Sequence, residues 1–320
     1  MNDLTGSRIL LTGGAGFVGS FIVDQLLDED VKEIIVLDNL VRGSLSNIEN
    51  ALGSGKVKFA EGDIRDLQFL EKIFHGIDYC FHMAALRITR CAENNRDAME
   101  VMYNGAFNVV EACVQHDVKK LVAASSASIY GTADLFPTNE HHHPYNNRTL
   151  YGAAKLANEL LLRSFNDMHS LDYIALRYFN IYGPRMDIEG KYTEVMIRWY
   201  HLIKDGKPPV IFGDGKQTMD FVYVEDVAKA SILALKTPVA DQVFNVARGI
   251  ETSLEELCWL LIEVMGSNVK PKYIPLPDDR KNVEVVRRWA DVSNARKLLQ
   301  FEASVSLKAG LEKLVAWISS

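Results

Sequence analysis

The chain has 320 residues, 48% hydrophobic and 24% charged, with a formal net charge of −7, a length that buries a full core as an open α/β sheet with a smaller second lobe. Its charges are interspersed with no Lys/Arg run long enough to track a phosphate backbone, no apolar stretch reaches bilayer-spanning length, and Met1-Asn2-Asp3-Leu4 lacks the basic start and apolar core of a signal peptide, so nucleic acid and membrane are excluded as partners. The four cysteines, Cys80, Cys91, Cys113 and Cys258, have no metal-ligand spacing and most sit in apolar patterns, which suits buried reduced thiols and a cytoplasmic setting.

The apolar run Arg8 to Leu11 is short and β-branched enough for a buried parallel strand, and Phe21 to Leu27 has helical apolar spacing. Between them stands Thr12-Gly13-Gly14-Ala15-Gly16-Phe17-Val18-Gly19-Ser20. Gly13 permits a tight turn, Gly16 lets the backbone approach a pyrophosphate, and Gly19 lets the helix lie against the strand, with phosphate at the helix N-terminus. A glycine triplet alone is weak evidence. Here a second strand, Glu33 to Leu37, ends in Asp38 about 20 residues on, where a carboxylate can bond both ribose hydroxyls and repel a 2′-phosphate; the pattern reads as dinucleotide binding with NAD over NADP.

A loop from Asn39 to Gly43 leads to the strand Val57 to Gly62 and to Asp63-Ile64. Asp63 reads equally as an acceptor for the adenine amino group or as the N-cap of a helix over Leu67 to Phe74. The strand Tyr79 to Ala85 ends in Met83-Ala84-Ala85, small residues where a cofactor would pass, and His82 in it reads as a packed core histidine. Asp97 to His116 reads as one long helix. Leu121 to Ala124 is a strand that delivers the hydroxyl cluster Ser125-Ser126-Ala127-Ser128, at the end of a strand where open α/β sheets bind ligands.

On a helix over Leu150 to Phe165, Tyr151 and Lys155 are one turn apart on one face, and a phenol that must lose a proton near neutral pH needs such a positive charge, with the nicotinamide ring, beside it. The loop Pro137 to Pro144 holds three adjacent histidines, but neighbouring loop side chains diverge, so it reads as solvated loop with no metal. Beyond the strand Tyr173 to Phe179 the alternation weakens. Helices over Thr193 to Lys204, Val224 to Leu235, Leu254 to Met265 and Ser293 to Leu299, with the strand Val210 to Phe212 and the turn Gly213-Asp214-Gly215, suggest a smaller lobe interleaved with the sheet. The expected fold is a Rossmann-type doubly wound parallel sheet over 1–180, with a smaller C-terminal α/β substrate-binding lobe over 181–320.

Taken together, Thr12 to Gly19, Asp38-Asn39, Asp63-Ile64, His82 to Ala85, Ser125 to Gly131, Tyr151-x-x-x-Lys155, Arg177-Tyr178-Phe179-Asn180 and Gly213-Asp214-Gly215 resemble the extended short-chain dehydrogenase/reductase family, and most closely its NAD-dependent UDP-sugar 4-epimerases. The resemblance implies catalysis by Ser126, Tyr151 and Lys155. It implies NAD contacts from Gly13, Gly16, Phe17, Val18, Gly19, Asp38, Asn39, Gly43, Asp63, Ile64, Met83, Ala84, Ala85, Arg87, Ala124, Tyr151, Lys155 and Tyr178. Substrate contacts would come from Arg87, Ser126, Ser128, Tyr151, Asn180, Arg185, Val210, Phe212 and Arg280, and two helices per subunit would make a four-helix homodimer contact.

Dehydratases of this family carry an Asp-Glu pair just after the catalytic hydroxyl and decarboxylases a nearby Glu; here Ala127 and Ser128 stand there. That favours hydride removal and return through a transient 4-keto sugar, with a UDP-linked nucleotide sugar as substrate. A dehydratase or 4-ketoreductase of the same fold, and a non-catalytic NAD-binding regulator, are the alternatives. Two positions depart from the family: Met102 replaces an asparagine, and Met219 replaces an arginine that grips the substrate pyrophosphate, a charge for which Arg185, Lys191, Arg280 and Arg287 are candidate replacements.

Overall fold

The computed structural model describes residues 2–188, 194–276 and 286–320. Six strands, β1 (Arg8–Thr12), β2 (Glu33–Asp38), β3 (Val57–Glu61), β4 (Tyr79–His82), β5 (Lys120–Ser126) and β6 (Tyr173–Tyr178), form a seven-stranded sheet with Gln242–Val246, in the order β3-β2-β1-β4-β5-β6-(Gln242–Val246). Every pairing in it is parallel. Side chains alternate between faces, so Ile9 and Leu11 enter one core with Phe21 and Ile22 while Leu10 enters the other with Val109 and Val110. Helix α1 (Phe17–Leu26) covers the first face together with Val224–Lys236, and Ala106–Gln115 with Leu150–His169 covers the second. This is the doubly wound arrangement, and the strand order reverses between β1 and β4, which opens a crevice at their carboxyl ends.

A third core joins Tyr182, Trp199, Tyr223, Leu257 and Leu311, where Val195–Lys204, Leu254–Val264 and Leu307–Ser319 pack together beside the sheet. The chain returns to the main sheet from this lobe, because Val224–Lys236 packs on α1 and Gln242–Val246 adds to β6.

The expected helix from Asp97 to His116 is built in three pieces. An α-turn runs Asn95–Met99, a π-helical stretch Glu100–Gly105, and a regular helix Ala106–Gln115. In the widened stretch the Met102 carbonyl accepts a hydrogen bond from the Asn158 side chain at 2.9 Å. Residues Ala295–Leu299, expected as helix, are likewise a single π-helical turn. Helix α1 begins at Phe17, earlier than its apolar spacing indicates, because Gly16 caps it.

Candidate active site

The turn after β1 is shaped by close approach. Gly13 sits at φ +70, and a Cβ there would lie 2.6 Å from the Ala84 nitrogen, so this turn and the segment after β4 meet backbone to backbone. At Gly19 a Cβ would run into the Gly13 carbonyl oxygen. Gly16 caps α1 with extended backbone, no side chain bonds the cap, and no acidic residue occupies the first turn. The first N–H groups of α1, beginning at Phe17 and Val18, therefore have no intrahelical partner and no competing anion, which with the helix dipole makes a diphosphate cradle.

Asp38 ends β2. Its carboxylate accepts from the Ala15 N–H at 3.1 Å and the Leu40 N–H at 2.9 Å; burial pushes its pKa up and these backbone bonds pull it back. A Cβ at Gly43 would lie 2.7 Å from that carboxylate, so the loop closes over Asp38 only with glycine there. Asn39 donates to Asp63 at 3.1 Å, and hydrogen bonds from Arg65 hold the Asp63 pKa at about 2. The helix Leu67–Ile73 is capped by Asp66, which accepts from the Phe69 N–H at 3.0 Å, so the N-cap alternative for Asp63 is overturned. Ile64 is buried, and a Cβ at Gly105 would lie 2.7 Å from it. His82 is the core histidine expected, its Nδ1 2.8 Å from the Thr12 hydroxyl, with a pKa driven down to about 3 by burial and then by Lys155. A glycine turn without Cβ atoms, an open helix N-terminus and an acid at the end of β2 fit NAD in position and charge.

At the end of β5 the Ser126 hydroxyl oxygen accepts from the Ser128 N–H at 3.1 Å, opening the short turn Ala127–Tyr130. Helix Leu150–His169 is capped by Thr149, which accepts from the Gly152 N–H at 3.0 Å and so fixes where Tyr151 and Lys155 project. Lys155 is buried; its ammonium donates to the Ala124 carbonyl at 2.6 Å and lies 5.9 Å from the Tyr151 ring centroid, and desolvation lowers its pKa to about 8. Burial raises the Tyr151 phenol. A hydrogen bond from Ser126, then the charges of Arg42 and Arg288, work against that. In place of the family's asparagine, the Met102 sulfur accepts the Leu86 N–H at 3.0 Å.

Behind these groups a buried network fixes the elements that carry them. Arg177 on β6 donates to both Glu159 oxygens, at 2.9 and 2.6 Å, and to the Tyr130 hydroxyl at 2.9 Å. Ser125 donates to Glu159 at 2.5 Å, and Tyr130 to Asn245 at 2.7 Å. One guanidinium thus ties β5, β6, the turn after β5 and helix Leu150–His169 together. The next residue, Tyr178, points to the other face, with its hydroxyl 2.9 Å from that of Ser231.

A cleft at this end of the sheet is lined by Ser126, Ser128, Tyr151, Asn180, Glu194 and Arg288, among others. Four of the residues nominated for substrate, Ser126, Ser128, Tyr151 and Asn180, meet there. Arg185 instead pairs with Asp24 at 2.7 Å and lies over the Phe21 ring at 4.5 Å. Val210 and Phe212 belong to a strand that pairs with Lys272–Ile274 and are not among the residues lining the cleft, and Arg87 is ion-paired with Asp187 at 3.0 Å. Arg287 is bound by Glu251 at 2.6 Å. Arg280 and Lys191 lie outside the described residues.

Glu194, Arg42 and Arg288 are the charged groups that sequence reasoning missed. Glu194 and Arg288 lie far along the chain from Ser126 and Tyr151 in segments with no motif of their own, and Arg42 sits between the nominated Asn39 and Gly43. Glu194 is pushed up by desolvation, with Arg87, Arg198 and Arg42 opposing. A larger groove of about 430 Å³ between α1 and Val224–Lys236 includes Gln25, Glu29, Asp226 and Lys236. Within it Lys236 is paired with Glu29, and Asp226 accepts from the Ser304 and Val305 N–H groups.

The solvated-loop reading of the three histidines fails for His142, which is buried against Tyr130 with its Nε2 2.7 Å from Asp134 and its Nδ1 2.7 Å from the His143 carbonyl. Asp134, His142 and His143 bring potential metal-ligand atoms within 4.8 Å of one another. In this structure the carboxylate itself occupies both imidazoles, at 2.7 and 3.1 Å.

Residues 9–247 match the NAD dependent epimerase/dehydratase family. The chain belongs to that family. This epimerase/dehydratase family member is 35% identical to the UDP-glucose 4-epimerase of Mycolicibacterium smegmatis, across 96% of this chain and 97% of that one. It is 32% identical to the UDP-glucuronate 4-epimerase of Thermodesulfobacterium geofontis, across 96% of this chain and 95% of the relative. The solved UDP-N-acetylglucosamine 4-epimerase of Methanobrevibacter ruminantium, in complex with UDP-N-acetylmuramic acid, superposes with a TM-score of 0.91 at 32% identity, covering 98% of this chain and 99% of that chain. Nucleotide-sugar dehydratases and decarboxylases also occur among the relatives. The protein is therefore an enzyme of the NAD-dependent epimerase/dehydratase family, and its cofactor is NAD. No helix among the described residues is long and apolar enough to cross a membrane.

Proposed function

We propose that the enzyme is a 4-epimerase of a UDP-linked sugar. The observation that carries this reading is the meeting of Ser126 and Tyr151 in the cleft, with buried Lys155 5.9 Å from the Tyr151 ring centroid, while Ala127, the next residue after the serine, is buried and Ser128 presents only a hydroxyl. Bound NAD supplies a hydride acceptor and donor and the positive charge of its nicotinamide ring. Tyr151 takes the proton of the C4 hydroxyl and returns it when the sugar is reduced from its other face. Ser126, hydrogen-bonded to that phenol, orients it, and Lys155, held on Ala124, keeps a positive charge beside its ring. The names of the relatives support a UDP-sugar, two of them acting on or holding an acidic sugar.

A second reading is favoured by one observation. Glu194 stands in the cleft with a raised pKa, a carboxyl of the kind that elimination or C5 proton transfer needs. Incubation with UDP-glucose, UDP-N-acetylglucosamine, UDP-glucuronate and GDP-mannose, with products read by proton NMR, separates the two: a C4 epimer supports epimerisation, and a 6-deoxy-4-keto sugar or a pentose supports the second. Tyr151→Phe keeps the ring's packing and removes the proton carrier, so epimerisation should fall about 10²- to 10⁴-fold with NAD still bound. A Tyr151→Phe enzyme working at the wild-type rate would overturn this mechanism.

A further inference from the structure

The charges that surround the cleft are nearly all committed to protein partners. Arg87 is paired with Asp187, Arg185 with Asp24, Arg177 with Glu159 and Arg287 with Glu251, while Lys155 points at the Ala124 carbonyl. Arg42 makes no ion pair among the described residues, but it is exposed and lies outside the cleft lining; Arg288 is different. It lies on the short strand Arg287–Arg288, in parallel register with Thr218–Met219, and its side chain lines the cleft with Ser126, Ser128 and Tyr151. It makes no ion pair and no side-chain hydrogen bond among the described residues, and the group it feels most is the Tyr151 phenol. The strand is held in place by Asp220, which is fully buried and accepts from the Arg248, Gly249 and Ala290 N–H groups at 2.9, 3.0 and 3.4 Å. Arg288 is half-buried, so its guanidinium is partly withdrawn from water without an anion, which carries a cost, and its planar fork matches a carboxylate.

Resting on the epimerase reading, we propose that Arg288 recognises a carboxylate on the sugar itself, so that the substrate is a nucleotide-linked uronate rather than a neutral hexose. The position of Arg288 along the ligand decides between the two anions such a substrate carries. Tyr151 and Ser126 address the C4 hydroxyl, and a uronate carboxylate hangs from C5, the adjacent ring carbon. The diphosphate leaves from C1 on the far side of the ring. A guanidinium that lines the same cleft and acts on the Tyr151 phenol is therefore near the carboxylate end. The Ser128 hydroxyl can donate to the same carboxylate, Ser126 being committed to the Tyr151 phenol, and Glu194, which also lines the cleft, is under the charges of Arg87, Arg198 and Arg42 rather than Arg288.

The test is calorimetric binding of UDP-glucuronate, UDP-glucose and UDP to the NAD-loaded protein and to its Arg288→Met and Arg288→Lys forms, with a thermal melt on each and NMR of the products. Wild type should bind UDP-glucuronate at least about tenfold tighter than UDP-glucose. Arg288→Met should lose about 10- to 100-fold on UDP-glucuronate and change little on UDP-glucose or UDP. Arg288→Lys, which keeps the charge without the fork, should retain part of the preference and covers the case in which the methionine form does not fold. Equal loss on all three ligands would assign Arg288 to the diphosphate and overturn the proposal, as would a wild type that binds the two sugars alike or binds neither. Binding that follows the expected pattern while the product is a pentose or no product forms would sink the epimerase reading and leave the role of Arg288 standing.

Discussion

His82 and Asp38 show how one side chain's surroundings set its use. The unfolded chain takes up a proton on His82 near pH 6.5, whereas the folded one refuses it down to about 3, so stability is complete above 6.5 and falls as pH drops through that window. By pH 4.5 the loss from this group should be about 2–3 kcal/mol. Denaturant midpoints at pH 7 and 4.5 should converge in His82→Gln relative to wild type, and an unchanged difference would remove His82 from the acid limb. We propose Asp38 as the residue for cofactor choice. Asp38→Ala should weaken NAD by roughly 10- to 100-fold, since bonds to a charged group are lost, and narrow the gap to NADP, read by calorimetric titration. An unaltered enzyme that prefers NADP would contradict the reading of the β2 end.

At the level of elements, Arg177 decides whether β5, β6 and helix Leu150–His169 keep one register relative to each other. Removing it strands Glu159 in the interior, where Ser125 alone would remain as its side-chain partner. Arg177→Met should therefore cost about 3–5 kcal/mol in chemical unfolding, and replacing Glu159 as well, by Leu, should restore part of it. A single variant as stable as wild type would show that the pair is not what fixes these elements. The π-helical stretch Glu100–Gly105 belongs to the same scale: its Met102 carbonyl is bound by Asn158, on the helix that carries Tyr151 and Lys155.

For the whole molecule, the exposed faces of the helices that flank β5 suggest a second subunit. Leu160 is 58% and Met168 70% exposed on the helix Leu150–His169, and Phe107 packs edge-on against Phe165 beside them. We propose that this face forms the four-helix homodimer contact. Light scattering at micromolar concentration should give a dimer, and Leu160→Glu should shift it toward monomer with the fold intact. A wild-type monomer would count against it.

The sequence by itself determined the doubly wound sheet and its cofactor, because both rest on short-range rules. Buried parallel strands need continuous apolar runs, the β1 turn needs glycine, and the acid at the end of β2 must follow it at a set distance. It also brought Tyr151 and Lys155 to one face through helical spacing, and named Ser126 from its place at the end of a strand. Tertiary structure alone decided which charges share the cleft. Arg185, in a recognisable Gly-Pro-Arg stretch, turns to Asp24 on α1, while Arg288, in a stretch without a motif, is delivered beside Tyr151 by a two-residue strand paired with Thr218–Met219. It likewise decided that His142 is buried against Tyr130 and that Asp66 caps its helix in place of Asp63. These outcomes depend on contacts between residues far apart in the chain, where packing and desolvation outweigh any local preference that spacing can reveal.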